Sequence, residues 1–502
     1  MKIAASVVSF LLAATVLTFV WSAQERDPHA ESHSSHSDGS TDVTATQAGA
    51  ELTKRISAAR GGETIVVGAG VYAGNFVIDV PITLAGQKGA VLKGSGTGTV
   101  LTLRSSGVVV QGLTITGSGT GPVGSPAGIL IDGDDVLLDE VRVEDSYTGI
   151  AVAHARSTRI VNSVIIGRAG TRLTDERHAL SDHELSSVSM RGDGISLNDA
   201  RGVLIRGVRI KGARDGIYLS FGTDATIDRA IVTGSRYGLH AMYARYLAVS
   251  ESRFENNLSG AVLMYGGPVV MVRNTFSRHT SPATGFGVLL RDVTGVEIGR
   301  NVMTENRVGL QVEGPAGAAS GDNRLLLNTI ALNQTGIALF PNAAAAFAGN
   351  SIVENVVAVS AQGSGPRLKV EWMDEGAGNF WSGYRGFDGD GDGLGDLPHE
   401  ESGIISSRIE RAPVLAALAT SPSFRLADAV QQRWTGRSPL VVDGAPLMAP
   451  LSPPLPRVER EGESGVVVGA GAMLVLITAG GSLWKLRLGR ARHWGGAAHA
   501  RV

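Results

Sequence analysis

The sequence predicts an all-β fold, a right-handed parallel β-helix of about a dozen coils, on three observations. Segments of the form Gly-Φ-x-Φ, where Φ is apolar, recur at intervals of 22 or 27 residues; they begin at Gly194, Gly216, Gly238, Gly260, Gly287, Gly309 and Gly336. Between them lie short stretches with period-two alternation, such as 203–211, and no ten-residue amphipathic helical pattern. Repeats of about 20–30 residues are typical of solenoids, in which each unit buries its apolar face only against its neighbours.

Asparagine supplies a second periodic signal. Two series run through the later repeats, five residues apart: Asn274, Asn301, Asn328 and Asn350, and then Asn306, Asn333 and Asn355. Asparagines that recur once per coil can hydrogen-bond from coil to coil at the turns. We therefore expect stacked asparagine ladders inside the solenoid.

Composition limits the class of protein. The chain has 502 residues, more than a single compact core of about 250–300 residues accommodates. Cysteine is absent, which excludes disulfides, cysteine-ligated metal sites and thiol nucleophiles. A formal net charge of -2 offers no basic surface, so we expect no nucleic-acid partner.

The two ends of the chain carry apolar runs. Residues 1–23 are expected to be an export signal, because Lys2 precedes an uncharged stretch. Residues 464–484 are uncharged and long enough for a transmembrane helix, and a basic segment, 485–502, follows them. This pattern predicts a periplasmic protein, anchored to the inner membrane by its C-terminal helix and ending in a cytoplasmic tail.

Between these ends we assign four segments. Residues 24–44 are a histidine-containing leader expected to be disordered, and 45–365 form the parallel β-helix, whose open end is expected to be capped near 50–60. Residues 366–410 close the solenoid with an Asp/Gly-rich loop, and 411–463 are a proline-rich wrap and spacer. A polar excursion near 168–191 interrupts the repeat and is expected to lie to one side, where solenoids often bind their ligands.

Several groups of side chains could bind metal. The leader contains His29, His33 and His36, whose imidazoles could bind Cu²⁺ or Zn²⁺. Such a tract can equally be an inert linker. The excursion supplies further candidates, His178, His183 and Met190. The spacing D-x-D-x-D-G-x-x-D suits a structural Ca²⁺, or else forms a solvated acidic turn; its acids are Asp388, Asp390, Asp392 and Asp396.

A third candidate metal site follows from aligning neighbouring repeats. The alignment places Met242 above Met264 one coil apart, and His240 on the same outward side of its strand. Thioether and imidazole are ligands that Cu(I) accepts when no thiolate is present. The same methionines could instead form a contact surface for a transporter, or have no role.

Four segments, 237–246, 285–293, 378–398 and 445–450, together resemble the NosD family, over about residues 45–450. The resemblance implies a non-catalytic periplasmic β-helix that handles copper transiently in maturation of the copper site of nitrous oxide reductase, a denitrification enzyme. It implies an ABC transporter permease and ATPase, a copper chaperone and the reductase as partners. The histidine-containing leader and the C-terminal apolar span depart from the family pattern.

A second class of function stays open at this stage. Polysaccharide lyases, epimerases, hydrolases and carbohydrate-binding proteins use similar coils, and fold does not fix function. A lyase or epimerase needs a base and an arginine that neutralises the sugar carboxylate; His154, Arg156, His240 and Arg291 are the candidates.

Overall fold

A computed structural model of the chain describes residues 38–121, 124–168, 191–314, 323–362, 368–401 and 439–451, with the single residues 421, 426 and 430. Three parallel sheets of 13, 13 and 12 strands run along the chain, and successive strands enter the three sheets in turn. The all-β prediction is confirmed, and the architecture is consistent with a right-handed parallel β-helix. The predicted helix at 464–484, the signal segment and most of the leader lie outside the described residues.

Each coil contributes one strand to each sheet. Sheet 1 contains β1 (Thr64–Val67), β4 (Thr83–Gly86), β7 (Val109–Gln111), β10 (Leu137–Asp139), β13 (Arg159–Val161), β16 (Leu204–Arg206), β19 (Thr226–Asp228), β22 (Leu247–Ser250), β25 (Val269–Val272), β28 (Val296–Gly299), β31 (Asn323–Leu326), β34 (Ala344–Ala348) and β37 (Lys369–Glu371). Sheet 2 contains β2 (Gly70–Ala73), β5 (Ala90–Lys93), β8 (Thr114–Thr116), β11 (Arg142–Ser146), β14 (Val164–Gly167), β17 (Arg209–Lys211), β20 (Ile231–Thr233), β23 (Arg253–Glu255), β26 (Thr275–Ser277), β29 (Val302–Thr304), β32 (Thr329–Ala331), β35 (Ser351–Val353) and β38 (Phe380–Trp381).

Sheet 3 contains the strands that begin with the glycine repeats. Its members are β3 (Phe76–Ile78), β6 (Leu101–Leu103), β9 (Ala127–Ile131), β12 (Thr148–Ala153), β15 (Ile195–Asn198), β18 (Asp215–Ser220), β21 (Tyr237–Met242), β24 (Ser259–Met264), β27 (Phe286–Arg291), β30 (Val308–Glu313), β33 (Thr335–Leu339) and β36 (Val357–Ala361). A separate antiparallel pair, β39 (His399–Glu401) and β40 (Val441–Asp443), follows the solenoid.

The core is a stack of aliphatic layers inside the coils. In sheet 3, Ile217 pairs with Leu239 and Leu219 pairs with Ala241, and all four side chains are buried. Alternation along each strand explains this, because every second side chain points inward and meets the equivalent residue one coil away. The 22- and 27-residue intervals of the sequence are therefore the lengths of real coils.

The predicted asparagine ladder is present. Each backbone N–H in one series donates to the side-chain oxygen of the next asparagine, at 2.8 to 3.1 Å; the members are Asn274, Asn301, Asn328, Asn350 and Asn379. Each side-chain amide also donates to a carbonyl of the preceding coil, as Asn328 Nδ2 does to Ile298 at 2.8 Å. These side chains satisfy buried backbone groups at the bends, where strand pairing cannot.

A second ladder lies five residues later in each coil than the first, and one of its members is not asparagine. Its members are Asn257, His279, Asn306, Asn333 and Asn355. His279 is fully buried, and its Nδ1 lies 3.2 Å from the backbone nitrogen of Asn257, where the other members place a side-chain oxygen. Burial lowers the pKa of His279 to about 4, so the ring is neutral in the folded protein at pH 7.

Both ends of the solenoid are covered. The helix α1 (Asp38–Ala58) begins within the segment assigned to the leader and buries Leu52 and Ile56 in the core. Gly49 makes this packing possible, because a Cβ there would lie 1.9 Å from the carbonyl oxygen of Ala73. At the other end, the carboxylate of Asp443 accepts from the Asn379 backbone nitrogen at 2.7 Å and terminates the first ladder.

Candidate functional site

Two neighbouring strands of sheet 3 hold the candidate copper ligands in register. β21 and β24 pair so that Met242 lies beside Met264, and His240 lies beside Val262. The spacing of the glycines predicts this register. The two methionines therefore stand one coil apart on the same side of the sheet, with their backbones about 4.8 Å apart.

His240 takes the outward side of its strand, but it is buried there. Only 9% of the residue is exposed. Its ring lies between those of Tyr218 and Tyr237, at 5.0 Å between centroids in both cases. Strand alternation predicts which side a side chain takes; it does not predict that two aromatic neighbours will cover it.

A carboxylate that the sequence analysis missed holds this imidazole. Asp215 begins β18, one coil before His240, and its Oδ2 lies 2.8 Å from His240 Nδ1. Arg236 donates to both oxygens of the same carboxylate, at 2.9 and 2.7 Å. Burial alone would raise the pKa of Asp215, but the hydrogen bonds from His240 and Arg236 outweigh it and hold the pKa below its ordinary value. Asp215 is therefore an ionised acceptor.

This contact decides which nitrogen of His240 is free to bind. An ionised carboxylate can only accept, so Nδ1 of the imidazole carries the proton and donates it to Asp215. Nε2 then carries the lone pair in the neutral ring. Metal-binding histidines commonly donate their other ring N–H to a carboxylate in this way, which fixes the ring orientation and raises its basicity.

The two methionines are half-buried at the ends of their strands. The hydroxyl of Tyr218 lies 3.9 Å from the sulfur of Met242 and donates to it. A soft ion that binds this sulfur replaces a weak hydrogen bond, which costs little. Together, Met242, Met264 and the Nε2 of His240 offer two thioethers and one imidazole, a donor set that suits Cu(I) better than Mg²⁺ or Ca²⁺.

A second Arg–Asp pair lies one coil before the first. Arg214 donates to both oxygens of Asp193, at 2.9 and 2.8 Å. Burial raises the pKa of Asp193, and the charge of Asp215 raises it further, against the opposing effect of Arg214. The two bidentate pairs fix the starts of β18 and β21, and with them the position of His240.

The residues that a lyase or epimerase would need are not brought together. His154 contacts Asp199 at 3.3 Å in an exposed turn, three coils before the strand of His240, and Arg156 lies two residues further on. Arg291 is held by a carboxylate of the next coil, Glu313. Three coils correspond to about 14 Å, too far for His154 and His240 to act on one bond.

The Asp/Gly-rich loop has the local geometry of a cation-binding turn. One oxygen from each of Asp388, Asp390 and Asp392 lies within 4.8 Å of the others, and among the described residues this is the one such group of acidic or histidine side chains. Three backbone amides of the loop donate to Asp388, at 2.7, 3.1 and 2.8 Å. Asp396 accepts from the backbone of Gly389 at 2.7 Å and stands apart from the group.

His399, the twelfth residue counted from Asp388, does not face the acids. His399 is buried and stacks on Trp381, with 4.5 Å between ring centroids. The loop therefore offers side-chain oxygens from its first, third and fifth positions. The remaining metal candidates of the leader and the excursion, His29, His33, His36, His178, His183 and Met190, lie outside the described residues.

Comparison with known proteins shows which family the chain resembles. Residues 178–386 match the sequence model of NosD, described as a periplasmic copper-binding protein. The chain is 29% identical over 437 residues to a protein of Pseudomonas aeruginosa named "Probable ABC transporter binding protein NosD", covering 77% of this chain and 89% of that protein. A protein of the same name from Stutzerimonas stutzeri is 27% identical over 394 residues, covering 76% and 85%. Over about three quarters of its length the chain is similar to proteins of the NosD family.

The NosD match spans the candidate copper ligands and ends just before the Asp/Gly-rich loop. Solved structures with similar coils include the A-module of a mannuronan C-5 epimerase from Azotobacter vinelandii, with a TM-score of 0.45 and 14% identity, covering 64% of this chain and 93% of that one. A periplasmic alginate epimerase matches with a TM-score of 0.41 and 13% identity, covering 64% and 81%. No helix within the described residues is long and apolar enough to cross a membrane.

Proposed function

We propose that this protein is a non-catalytic copper-handling protein of the periplasm, which works with an ABC transporter in maturing the copper site of nitrous oxide reductase. The observation that carries the proposal is the cluster of Met242, Met264 and His240, with His240 oriented by the buried Asp215. The description of the family as periplasmic and copper-binding supports the cargo and the compartment. The names of the two relatives support the association with a transporter.

The donor set also suits a protein that passes copper on. Two thioethers and one imidazole bind Cu(I) without a thiolate, and the half-buried methionines keep one side of the site open to exchange. The buried carboxylate orients the imidazole without occupying the metal position. Copper at this cluster is therefore proposed as cargo that enters and leaves.

The first prediction concerns these ligands. The triple variant His240→Ala, Met242→Leu, Met264→Leu is expected to bind Cu(I) at least about tenfold more weakly, because all three donors are lost. A tenfold change in the dissociation constant corresponds to about 1.4 kcal/mol. The measurement is competition of the full-length protein with a chromogenic Cu(I) chelator. The β-sheet circular dichroism is expected to stay unchanged, because leucine replaces methionine at similar volume.

A matched control uses methionines far from the cluster. Met373 and Met448 are each 39% exposed, and Met373→Leu with Met448→Leu is expected to compete for Cu(I) as well as the wild-type protein does. Equal competition by the triple variant and the wild type would show that these side chains are not the site.

The polysaccharide-enzyme alternative requires a free arginine beside a base. Arginines of the neighbouring coils are already held by carboxylates: Arg214 by Asp193, Arg236 by Asp215 and Arg291 by Glu313. The charge of an arginine held in this way is already balanced by its own carboxylate, so the arginine is a poor group to neutralise a sugar carboxylate. Incubation of the protein with alginate or pectin is accordingly expected to give no new unsaturated ends, and their appearance would favour the enzyme.

We also propose a structural Ca²⁺ in the Asp/Gly-rich loop. Saturating Ca²⁺ is expected to raise the melting temperature by about 3 °C or more, since binding to the folded state alone stabilises it. Asp388→Ala is expected to abolish this shift, and Asp224→Asn, at an exposed acid elsewhere, is expected to retain it. A melting temperature that Ca²⁺ and chelator leave unchanged in the wild type would refute the site.

A further inference from the structure

Nine arginine and lysine side chains form a basic face on one side of the solenoid. In five successive coils, one segment covers a sheet 1 strand, the turn after it and a sheet 2 strand; these segments are 159–168, 204–212, 226–234, 247–256 and 269–278. They contain nine arginines and lysines and three aspartates and glutamates, a difference of +6 in a chain whose net charge is -2. None of the nine cationic residues is buried. The net charge predicts no basic surface, but the fold gathers one from five coils.

Two of the three acids of the basic face lie beneath its arginines. Asp228 accepts from Arg206 and Arg229, each at 3.1 Å, and its side chain is 14% exposed, against 48% and 57% for the two arginines. Glu255 is likewise held by two arginines, and its side chain is 13% exposed. The third acid, Glu251, is exposed and held by one arginine at 3.1 Å. The charge that the face presents to solvent is therefore positive.

Three cations of the basic face have no partner among the described residues. The side chains of Arg159, Arg209 and Lys211 are exposed and form no hydrogen bond or ion pair there. Arg209 and Lys211 are the outward residues of β17, and the residues paired with them on both neighbouring strands are uncharged. Like charges gathered on one face repel one another, so the fold gains no stability from them. An anion outside the chain would balance them.

The basic face is bounded along the solenoid axis by acidic coils. The segment before it, 137–145, has four acids and one arginine, and the segment after it, 297–305, has two acids and one arginine. Arg168 reaches across the first of these borders and pairs with Asp145 at 2.7 Å. Five coils at about 4.8 Å per coil make the face about 20 Å long. The positive charge is thus confined to a patch of defined size.

The positions of the cations indicate the shape of the anion. In the paired strands of the face, no row along the axis has arginine or lysine in two consecutive coils; Arg209, for example, lies between Val164 and Ile231. A linear polyanion lying along the solenoid would follow one such row and meet few of the charges. The cations are spread over both sheets and the turn between them, which suits a planar array of anions.

The basic face lacks the apolar centre that a protein partner would need. Within the face, all of whose residues the structure describes, one large apolar side chain is exposed, Val270 at 39%. Protein interfaces concentrate their binding energy in apolar and aromatic residues at the centre, with charges at the rim. The attraction of arginine and lysine to anionic lipid headgroups needs no such centre, because it acts through the potential of the whole membrane surface.

We propose that the basic face lies against a membrane surface that carries anionic phospholipid headgroups. The sequence supplies a reason for a membrane to be near, since residues 464–484 are uncharged and long enough to cross one. A chain tethered to a bilayer meets its surface at a high effective concentration, so a weak electrostatic attraction suffices. The inference goes beyond the proposed function and uses none of the copper ligands, so the two can fail separately.

The test places the full-length protein in nanodiscs and measures how fast Lys211 reacts with a soluble acetylating reagent, by mass spectrometry of its peptides. One set of nanodiscs contains phosphatidylcholine alone, and the other also contains phosphatidylglycerol. Lys54 on α1, whose side chain is 79% exposed, serves as the reference in each sample. Relative to Lys54, we expect Lys211 to react at least about fivefold more slowly in the anionic nanodiscs. Salt at about 1 M, where the Debye length is about 3 Å, is expected to remove this protection.

Two variants with the same change in net charge make the test specific. Arg159→Glu with Arg209→Glu reverses two unpartnered charges of the face and keeps Lys211 as the reporter, and its protection is expected to be lost. Arg60→Glu with Lys88→Glu, at exposed residues of the first coils outside the face, is expected to keep the protection. All four positions are exposed, so both variants are expected to fold.

The comparison of the two lipid compositions needs no variant, so the inference can fail on the wild-type protein alone. Equal reaction of Lys211 in the two kinds of nanodisc would overturn it, as would protection that survives Arg159→Glu with Arg209→Glu. Protection of Lys211 by dissolved alginate, with none from anionic nanodiscs, would also overturn it, in favour of an acidic polysaccharide. Each of these results leaves the proposed copper site standing.

Discussion

Asn328→Ala is expected to lower the free energy of unfolding by about 2–6 kcal/mol, because it leaves two buried polar groups without partners at about 1–3 kcal/mol each. The side-chain oxygen of Asn328 accepts from the backbone nitrogen of Asn301 at 3.0 Å, and its amide donates to Ile298 at 2.8 Å. Alanine removes both bonds in the fully buried interior of the first ladder. The measurement is the free energy of unfolding in urea, followed by circular dichroism.

The control for this change is an asparagine outside the ladders. Asn198 is exposed on β15, and Asn198→Ala is expected to change the free energy of unfolding by no more than about 0.5 kcal/mol. If Asn328→Ala unfolds at the same urea concentration as Asn198→Ala, the ladder does not stabilise the solenoid.

Between pH 7.5 and pH 4.5, His279 is expected to make the wild-type protein lose about 2.5 kcal/mol of its free energy of unfolding. His279→Asn is expected to abolish this part of the loss. Burial holds the pKa of His279 at about 4 in the folded state, against an ordinary value of 6.5. Between these values the unfolded chain takes up a proton that the folded chain does not. The stability contributed by the neutral ring is therefore complete above pH 6.5 and is lost as the pH falls toward 4.

Asparagine is the natural replacement, because the neighbouring members of the second ladder are Asn257 and Asn306. It can accept from the same backbone nitrogen and does not titrate. The measurement is the difference in unfolding free energy between the two pH values, compared for wild type and variant, so that contributions from other groups cancel. Asn198→Ala, which removes no titrating group, should leave that pH difference nearly unchanged. An unchanged pH difference in His279→Asn would contradict a buried neutral ring.

The architecture could be predicted because one coil is one repeat. The glycine that begins each sheet 3 strand fixes the register, so the pairing of Met242 with Met264 follows from counting residues. The second ladder carried a similar signal: His279 stands five residues after Asn274, the offset at which later coils have asparagine. Comparing each coil with the next at that offset would have identified the histidine as a ladder member.

The environment of the site was harder to predict, because it depends on side chains from adjacent coils. The strand pattern gives His240 an outward position but not the carboxylate that orients it, which begins the strand one coil earlier. The sequence does carry a signal for this pair. Arg214 and Asp215 directly precede the repeat that begins at Gly216, and Arg236 stands two residues before the next repeat, at Gly238. Aligning these glycines places an arginine one coil after each aspartate.

X-ray absorption at the copper edge of the Cu(I)-loaded full-length protein tests the central claim most directly, because it reports the atoms bound to the metal. The proposed site predicts a first coordination shell that contains both thioether sulfur and imidazole nitrogen. It also predicts that the sulfur contribution disappears in Met242→Leu with Met264→Leu, while Met373→Leu with Met448→Leu retains it. A shell of nitrogen and oxygen alone in the wild type, or a sulfur contribution that survives in the Met242 and Met264 variant, would contradict copper binding at this cluster.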